Sequence, residues 1–503
     1  MTKRNGLLRL AIVSALLCAG AGIMPGYAES ISHKTVEIKA DTSGDQYGGN
    51  AGSSGDATNN KLTISGTASV SYSNGADVYG GYTASGNVSE NVLEVTTTGT
   101  IYGNAYGGYT LSGVANTNKI NFSNGTIYNT LYGGKTENGM ANTNAITITG
   151  GSLSSSVYSG YSQVGNVTGN TVTISGGNIG GYVYGGYAKQ GDATSNVITF
   201  EGGALSSSLI GGYAGNTGNA ERNKVKISGG TISGAYPHVY GGQADSGIAN
   251  LNEVEITGGT ITGNIYGGQS DKSQATNNKV TISGSATVIG TAPEEPLPAS
   301  TLGSGFIGIG DSSRTQPASI YGGYSNASAA VTGNTVTIES GTIYGSDSDG
   351  VYGGYSVRSF HAPLSSPTGD VTDNTVKITG GTTERSIYGG YAEAGNAIRN
   401  HFTMEDGVVG TEDAGNLSDV NEDFYGGYSQ YGSANENTVT ISGGTIYGEV
   451  HGGRAEGGQI DDNEYAIVNA IGNSVTISGG TIHDFVYGGF VDNGRVEGNT
   501  VDI

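Results

Sequence analysis

Cysteine is nearly missing from this 503-residue chain: the single one, Cys18, lies in an apolar stretch close to the N-terminus. A disulfide framework is therefore excluded as the source of stability. Tryptophan is absent, and there are only 8 prolines. Basic residues are scarce, with 21 Lys and Arg against 43 Asp and Glu and a net charge of −22. That balance excludes a nucleic-acid partner and disfavours an anionic membrane surface, since both need clustered Lys and Arg. Charged residues make up 13% of the chain and apolar ones 35%, too apolar a balance for a solvated, disordered polyelectrolyte. What is abundant is glycine, 92 residues, and tyrosine, 32. Glycine at this level without a Gly-X-Y period indicates a repeat built from turns.

The N-terminus reads as an export signal. Lys3, Arg4 and Arg9 precede an apolar run from Leu10 to Ile23, and Gly26-Tyr27-Ala28 places small residues where a signal peptidase reads them. Cleavage is expected between Ala28 and Glu29. The run is shorter than the ~20 residues of a membrane span, and Leu17 before Cys18 does not suit a lipoprotein signal. Removal of residues 1–28 takes away three basic groups and the cysteine, leaving a charge of −25.

Two marks recur along the rest. Tyr-Gly-Gly begins at 47, 79, 106, 132, 184, 240, 266, 321, 352, 388, 425 and 487, with Tyr-Ser-Gly at 158 and Ile210 and His451 in the same slot. An Asn followed by alternating apolar residues lies between these marks, at 60, 91, 118, 144, 170, 196, 223, 252, 278, 334, 374, 400, 437, 473 and 499. The commonest spacing is 26, and fifteen such units mean a solenoid. In the plainest unit, Val172 and Ile174 alternate with Thr173, the period of a strand with one buried face. Gly176-Gly177 and Gly185-Gly186 are expected at sharp corners. The expectation is an all-β fold, a single right-handed parallel β-helix over residues 44–503. It has three short strands per turn and about fourteen complete turns; residues 29–43 form a lead-in or cap.

Inward positions are apolar immediately before Tyr-Gly-Gly, as in Val78, Leu131 and Ile265, and Ala or Val lies three residues before each Asn, where a corner is expected. The Asn column, including Asn118, Asn144, Asn170, Asn196, Asn223, Asn252 and Asn278, is expected to form an internal ladder of hydrogen-bonded amides. Strand parity places the tyrosines outside. The pairs Tyr79 and Tyr82, Tyr106 and Tyr109, Tyr184 and Tyr187, Tyr352 and Tyr355, and Tyr388 and Tyr391 are the candidate ligand-binding residues, because stacked rings would offer apolar faces rimmed by hydroxyls. The competing reading is that the rings only pack on one another. Lys135, Gln243, Gln269 and Arg454 break the second tyrosine column. Past the signal, the prolines fall where the period is broken, and insertions at about 290–319, 356–372, 405–423 and 455–471 leave the coil on either side of the Tyr-Gly-Gly strand.

Catalytic and metal motifs are not found. The six histidines lie in separate units with no second His at a ligand spacing, so no metal site is expected. Asp347-Ser-Asp349-Gly350 lacks the terminal Glu of a calcium loop. No pair of carboxylates stands at a defined separation, so an enzyme is not expected; a polysaccharide lyase or glycosidase is the alternative. An ice-binding threonine file on the Val-x-Ile strand is interrupted by Glu94, Lys226, Glu255 and Lys377.

Tandem units of the Asn-Thr-Val-Thr-Ile-Ser-Gly-Gly and Val-Tyr-Gly-Gly-Tyr kind behind a signal peptide resemble the passenger regions of autotransporter-like surface proteins and repetitive adhesins of two-membraned bacteria. The resemblance covers residues 44–503. It implies export, display at the cell surface or outside the cell, no cofactor, and attachment to a host or bacterial surface glycan or protein. It also implies an outer-membrane contact only through a C-terminal barrel, which this sequence does not contain. The chain stops at Asn499-Thr-Val-Asp-Ile503, inside a unit, and is therefore expected to be a truncated product.

Overall fold

Each repeat unit closes one turn of a coil, and each turn is made of four strands. The structure, a computed structural model, describes residues 29–71, 76–235, 237–289, 319–344, 350–358, 369–410, 423–457, 459–461, 464–465 and 467–503. Residues 1–28, expected from the sequence to be an export signal, lie outside the described residues. In the unit read above, the strands are Val167–Thr168, Thr171–Ile174, Asn178–Ile179 and Val183–Ala188. Corresponding strands of successive turns pair in parallel and build four sheets, here A, B, C and D, of 16, 16, 15 and 15 strands. The chain is thus a parallel β-helix, and no helix occurs among the described residues.

The expected three strands per turn are thus four, and two expectations about corners need correction. The Ala or Val three residues before each Asn is not a corner: it opens the two-residue strand of sheet A, with Ala141, Val167 and Ala193 in register. The corner is the next residue but one, a single left-handed residue directly before the Asn. Glycine fills it at Gly169 (φ 67°), but Thr143, Ser195 and Leu251 adopt it too, at 52°, 55° and 55°. Such a conformation costs an L-residue about 1–2 kcal/mol, and the stacked turns on both sides impose it. The coil also begins earlier than expected, because Ile31–Ser32, Thr35–Ile38 and Thr42–Ser43 are already strands of sheets A, B and C.

The second correction concerns the Tyr-Gly-Gly glycines. Gly177 does turn a corner at φ 91°, whereas Gly185 and Gly186 lie inside the sheet D strand Val183–Ala188 without positive φ. Space is the reason they are glycine. A Cβ on Gly186 would sit 2.4 Å from the Asn196 side chain, and one on Gly185 would sit 2.4 Å from the Gly211 carbonyl oxygen of the next turn.

The interior is divided lengthwise. Inward residues of sheets B, C and D, such as Val172, Ile174, Ile179 and Val183, form one continuous apolar core. Burial of each such side chain contributes roughly 1.5–3 kcal/mol, and repetition over the turns stabilises the coil without cysteine. A narrow second channel runs between sheet A and the end of sheet D, lined by Ala57, Val88, Ala115, Ala188 and Ala193. Where Thr or Ser ends the sheet D strand, its hydroxyl caps a carbonyl of the preceding turn, as Thr110 Oγ1 does to Gly86 O at 2.7 Å and Ser162 Oγ to Gly139 O at 2.7 Å.

The asparagines stand between core and channel. From Asn60 to Asn499, each Nδ2 donates to the Oδ1 of the Asn one turn on, at 2.9–3.1 Å. That same Oδ1 accepts the backbone N–H of the first Asn, and Nδ2 also donates to a sheet A carbonyl, as Asn170 does to Ala141 O at 2.9 Å. Every polar atom of a fully buried amide is satisfied. The ladder runs unbroken from Asn278 to Asn334 although 56 residues separate them, so these two asparagines belong to adjacent turns.

Candidate binding face on sheet D

The tyrosine pair of each unit belongs to the six-residue sheet D strand, and the glycines between them put both rings on the outer side. Val78 points into the core, Gly81 lies against the Asn91 amide, and the Tyr79 and Tyr82 rings meet edge-on at 5.4 Å. Successive turns bring first-column rings face to face. Tyr47, Tyr79, Tyr106, Tyr132, Tyr158 and Tyr184 stack at 4.8–5.3 Å. After Ile210 the stack resumes from Tyr240 to Tyr425 at 4.8–5.0 Å and continues through His451 to Tyr487. In the second column Tyr161, Tyr187 and Tyr213 form one short stack, and Tyr324, Tyr355, Tyr391 and Tyr428 another.

This geometry changes what the face offers. The first-column rings lie outside the core as parity requires, yet Tyr79 and Tyr106 are only 6% and 5% exposed, because neighbours cover both ring faces and the second column covers the flank. Tyr184, Tyr187, Tyr352, Tyr355, Tyr388 and Tyr391 sit in the same kind of array. The flat apolar faces expected from the sequence are consumed by stacking. Ring edges and hydroxyls remain for an outside partner.

Carboxylates border these hydroxyls on both sides of the sheet. Tyr79 donates to Asp77 at 3.1 Å, Tyr109 to Glu137 at 3.2 Å, Tyr213 to Asp245 at 2.8 Å and Tyr355 to Glu393 at 2.7 Å. Burial, and then these acids and the neighbouring phenols, push the phenol pKa values up, to about 12 at Tyr161 and higher at Tyr79, Tyr106 and Tyr109. The acidic, aromatic surface already holds cations of its own. Lys135, in a second-column slot, places Nζ 4.9 Å, 5.1 Å and 5.4 Å from the ring centroids of Tyr109, Tyr132 and Tyr161, and pairs with Glu137 at 3.1 Å. The bordering acids escaped the sequence reading. The signal of those on one side is an Asp or Glu two residues before the first-column ring, at 45, 77 and 423 before Tyr and at 449 before His451, which strand periodicity places on the same side as the ring.

One break in the column gathers different chemistry. At the turn where His replaces Tyr, ligand atoms of Asp423, Glu449 and His451 come within 4.8 Å of one another. No metal site is expected from the sequence, because the three residues share no ligand spacing along the chain and meet only across two turns.

Three of the long insertions connect to the ends of sheet D strands. Chain 290–319 and 410–423 enters sheet D from sheet C, while 357–370 leaves it toward sheet A. Asp347 and Asp349 lie outside the described residues, as does the greater part of these three insertions, whereas the one at 455–471 carries the antiparallel strand pair Gln459–Asp461 and Glu464–Tyr465. No helix among the described residues is long and apolar enough to cross a membrane. Comparison with protein-family models, with curated proteins and with solved structures finds no match.

Proposed function

We propose that the chain is an exported rod displayed at the surface of a two-membraned bacterium, an adhesin or stalk of the autotransporter-passenger kind that binds a surface protein or glycan without turning it over. The observation that supports this most is the placement of sequence variation. Fourteen asparagines hydrogen-bond onward in one unbroken ladder, while the longest breaks in the period fall at the two borders of sheet D. A constant coil with variable segments around one face is how a solenoid separates scaffold from recognition. The export signal and the acidic, cysteine-free chain accord with display outside the cell.

The test uses the fluorescently labelled mature chain on arrayed host and bacterial glycans and on intact epithelial and bacterial cells. Saturable binding is expected, and deletion of 290–318 or of 359–368 should weaken it at least tenfold with the strand circular dichroism unchanged. Binding that survives both deletions and Ser replacement of Tyr355 and Tyr391, or no binding to any of these surfaces, contradicts the proposal.

A further inference from the structure

We infer that Asp423, Glu449 and His451 form a site for a borderline divalent cation such as Zn²⁺ or Co²⁺, at the outer edge of sheet D. Each ligand is placed by a separate feature of the coil. Asp423 and Glu449 occupy the same position in adjacent turns, two residues before Tyr425 and His451, so the stacking of turns brings the carboxylates together. His451 is held between the Tyr425 and Tyr487 rings at 5.0 Å and 4.8 Å, which fixes the imidazole plane, and its side chain is 1% exposed. Its Nε2 lies 3.0 Å from Glu449 Oε2, whereas Nδ1 has no hydrogen-bond partner. The neutral ring therefore carries its proton on Nε2, donated to Glu449, and a cation that takes the Nε2 lone pair displaces this hydrogen bond and moves the proton to Nδ1.

The ligands suit such an ion in type and charge. One imidazole nitrogen and two carboxylates are donors for Zn²⁺ and its neighbours, with bonds of about 2.0–2.2 Å and room for water in the remaining positions. Donor atoms around such an ion stand roughly 3–4 Å apart, so the observed 4.8 Å limit closes by side-chain rotation.

Arg454 is the competitor. Its Nη1 lies 3.6 Å from Asp423 Oδ2 and donates to the Tyr425 hydroxyl at 3.2 Å, and its Nη2 is 3.9 Å from Glu456 Oε1. Tyr425 in turn donates to Asp423. The guanidinium thus supplies part of the positive charge that an ion would bring.

The experiment titrates Zn²⁺, and Co²⁺ for its visible absorption, into the chelator-treated mature chain. One saturable equivalent is expected, with a Co²⁺ spectrum showing nitrogen ligation. His451→Tyr restores the residue that thirteen turns carry, so the coil is kept, and it should lower affinity at least tenfold; Glu449→Gln should do the same. Arg454→Gln should raise affinity severalfold. Uptake that is unsaturable, or equal in the wild type and His451→Tyr with both folded, overturns the site.

Discussion

At the scale of single residues, the solenoid is specified by what its interior forbids. The buried Asn has neighbours above and below that consume all its hydrogen-bonding capacity, so no other side chain of its size can replace it without leaving partners unsatisfied. Asn223→Ala would strip the acceptor from both Nδ2 and the backbone N–H of Asn196, and the donor from Ala193 O. Each orphaned buried group costs roughly 1–3 kcal/mol, so a loss of about 3 kcal/mol or more in unfolding free energy is expected from chemical denaturation. A change below about 1 kcal/mol would mean that the amides are hydrated and no ladder exists. This column was legible in the sequence because a polar residue recurring beside an apolar alternation has few other uses. The glycine pair was legible as a mark but not as a cause. Glycine serves both left-handed corners and close approach, and only the packing of Gly186 on the Asn196 amide separates the two.

At the scale of elements, sheet D differs from the others in carrying its own outer layer. The strand was readable from the periodicity of Val-Tyr-Gly-Gly-Tyr. Its length and the existence of a fourth strand were not, because a two-residue strand such as Val167–Thr168 has too short an alternation to recognise and is formed only by pairing with its neighbours in adjacent turns. The open ring faces expected of the candidate tyrosines failed for a related reason, since one strand does not reveal what the next turn places over it. The layer has a consequence for alkaline stability. A phenol whose folded pKa is raised favours the neutral folded state, so its contribution is complete below the unfolded value near 10 and is lost as pH rises toward the folded value. The raised values at Tyr158 and Tyr184 follow first from burial and then from mutual repulsion of the phenolates, and that at Tyr106 first from burial, then from Asp77 and only then from the neighbouring phenols. In an alkaline titration of the mature chain, tyrosinate absorbance of this layer should therefore appear together with loss of the strand circular dichroism, above pH about 10. Smooth ionisation of all tyrosines near pH 10 with the strand signal intact would show that the rings are not packed in a layer.

At the scale of the whole molecule, the chain is a stack in which sequence distance and spatial distance are decoupled. Sixteen strands in sheets A and B at about 4.8 Å per step give a stack of some 70 Å, and long insertions add nothing to that length because they leave at the borders of sheet D. The proposed role as a displayed rod depends on this property. It is measured most directly by pulsed dipolar spectroscopy on spin labels attached to cysteine pairs in sheet B, where the mature chain has no cysteine of its own. Thr147 lies five steps from Thr281, six from Thr337 and seven from Lys377 along that sheet. The expected distances are about 24, 29 and 34 Å, rising by one strand spacing across the 56 residues from Thr281 to Thr337 as well as across the 40 from Thr337 to Lys377. Distances that scale with the number of intervening residues, or broad distributions without this increment, would contradict the stacked coil and with it the separation of scaffold from recognition.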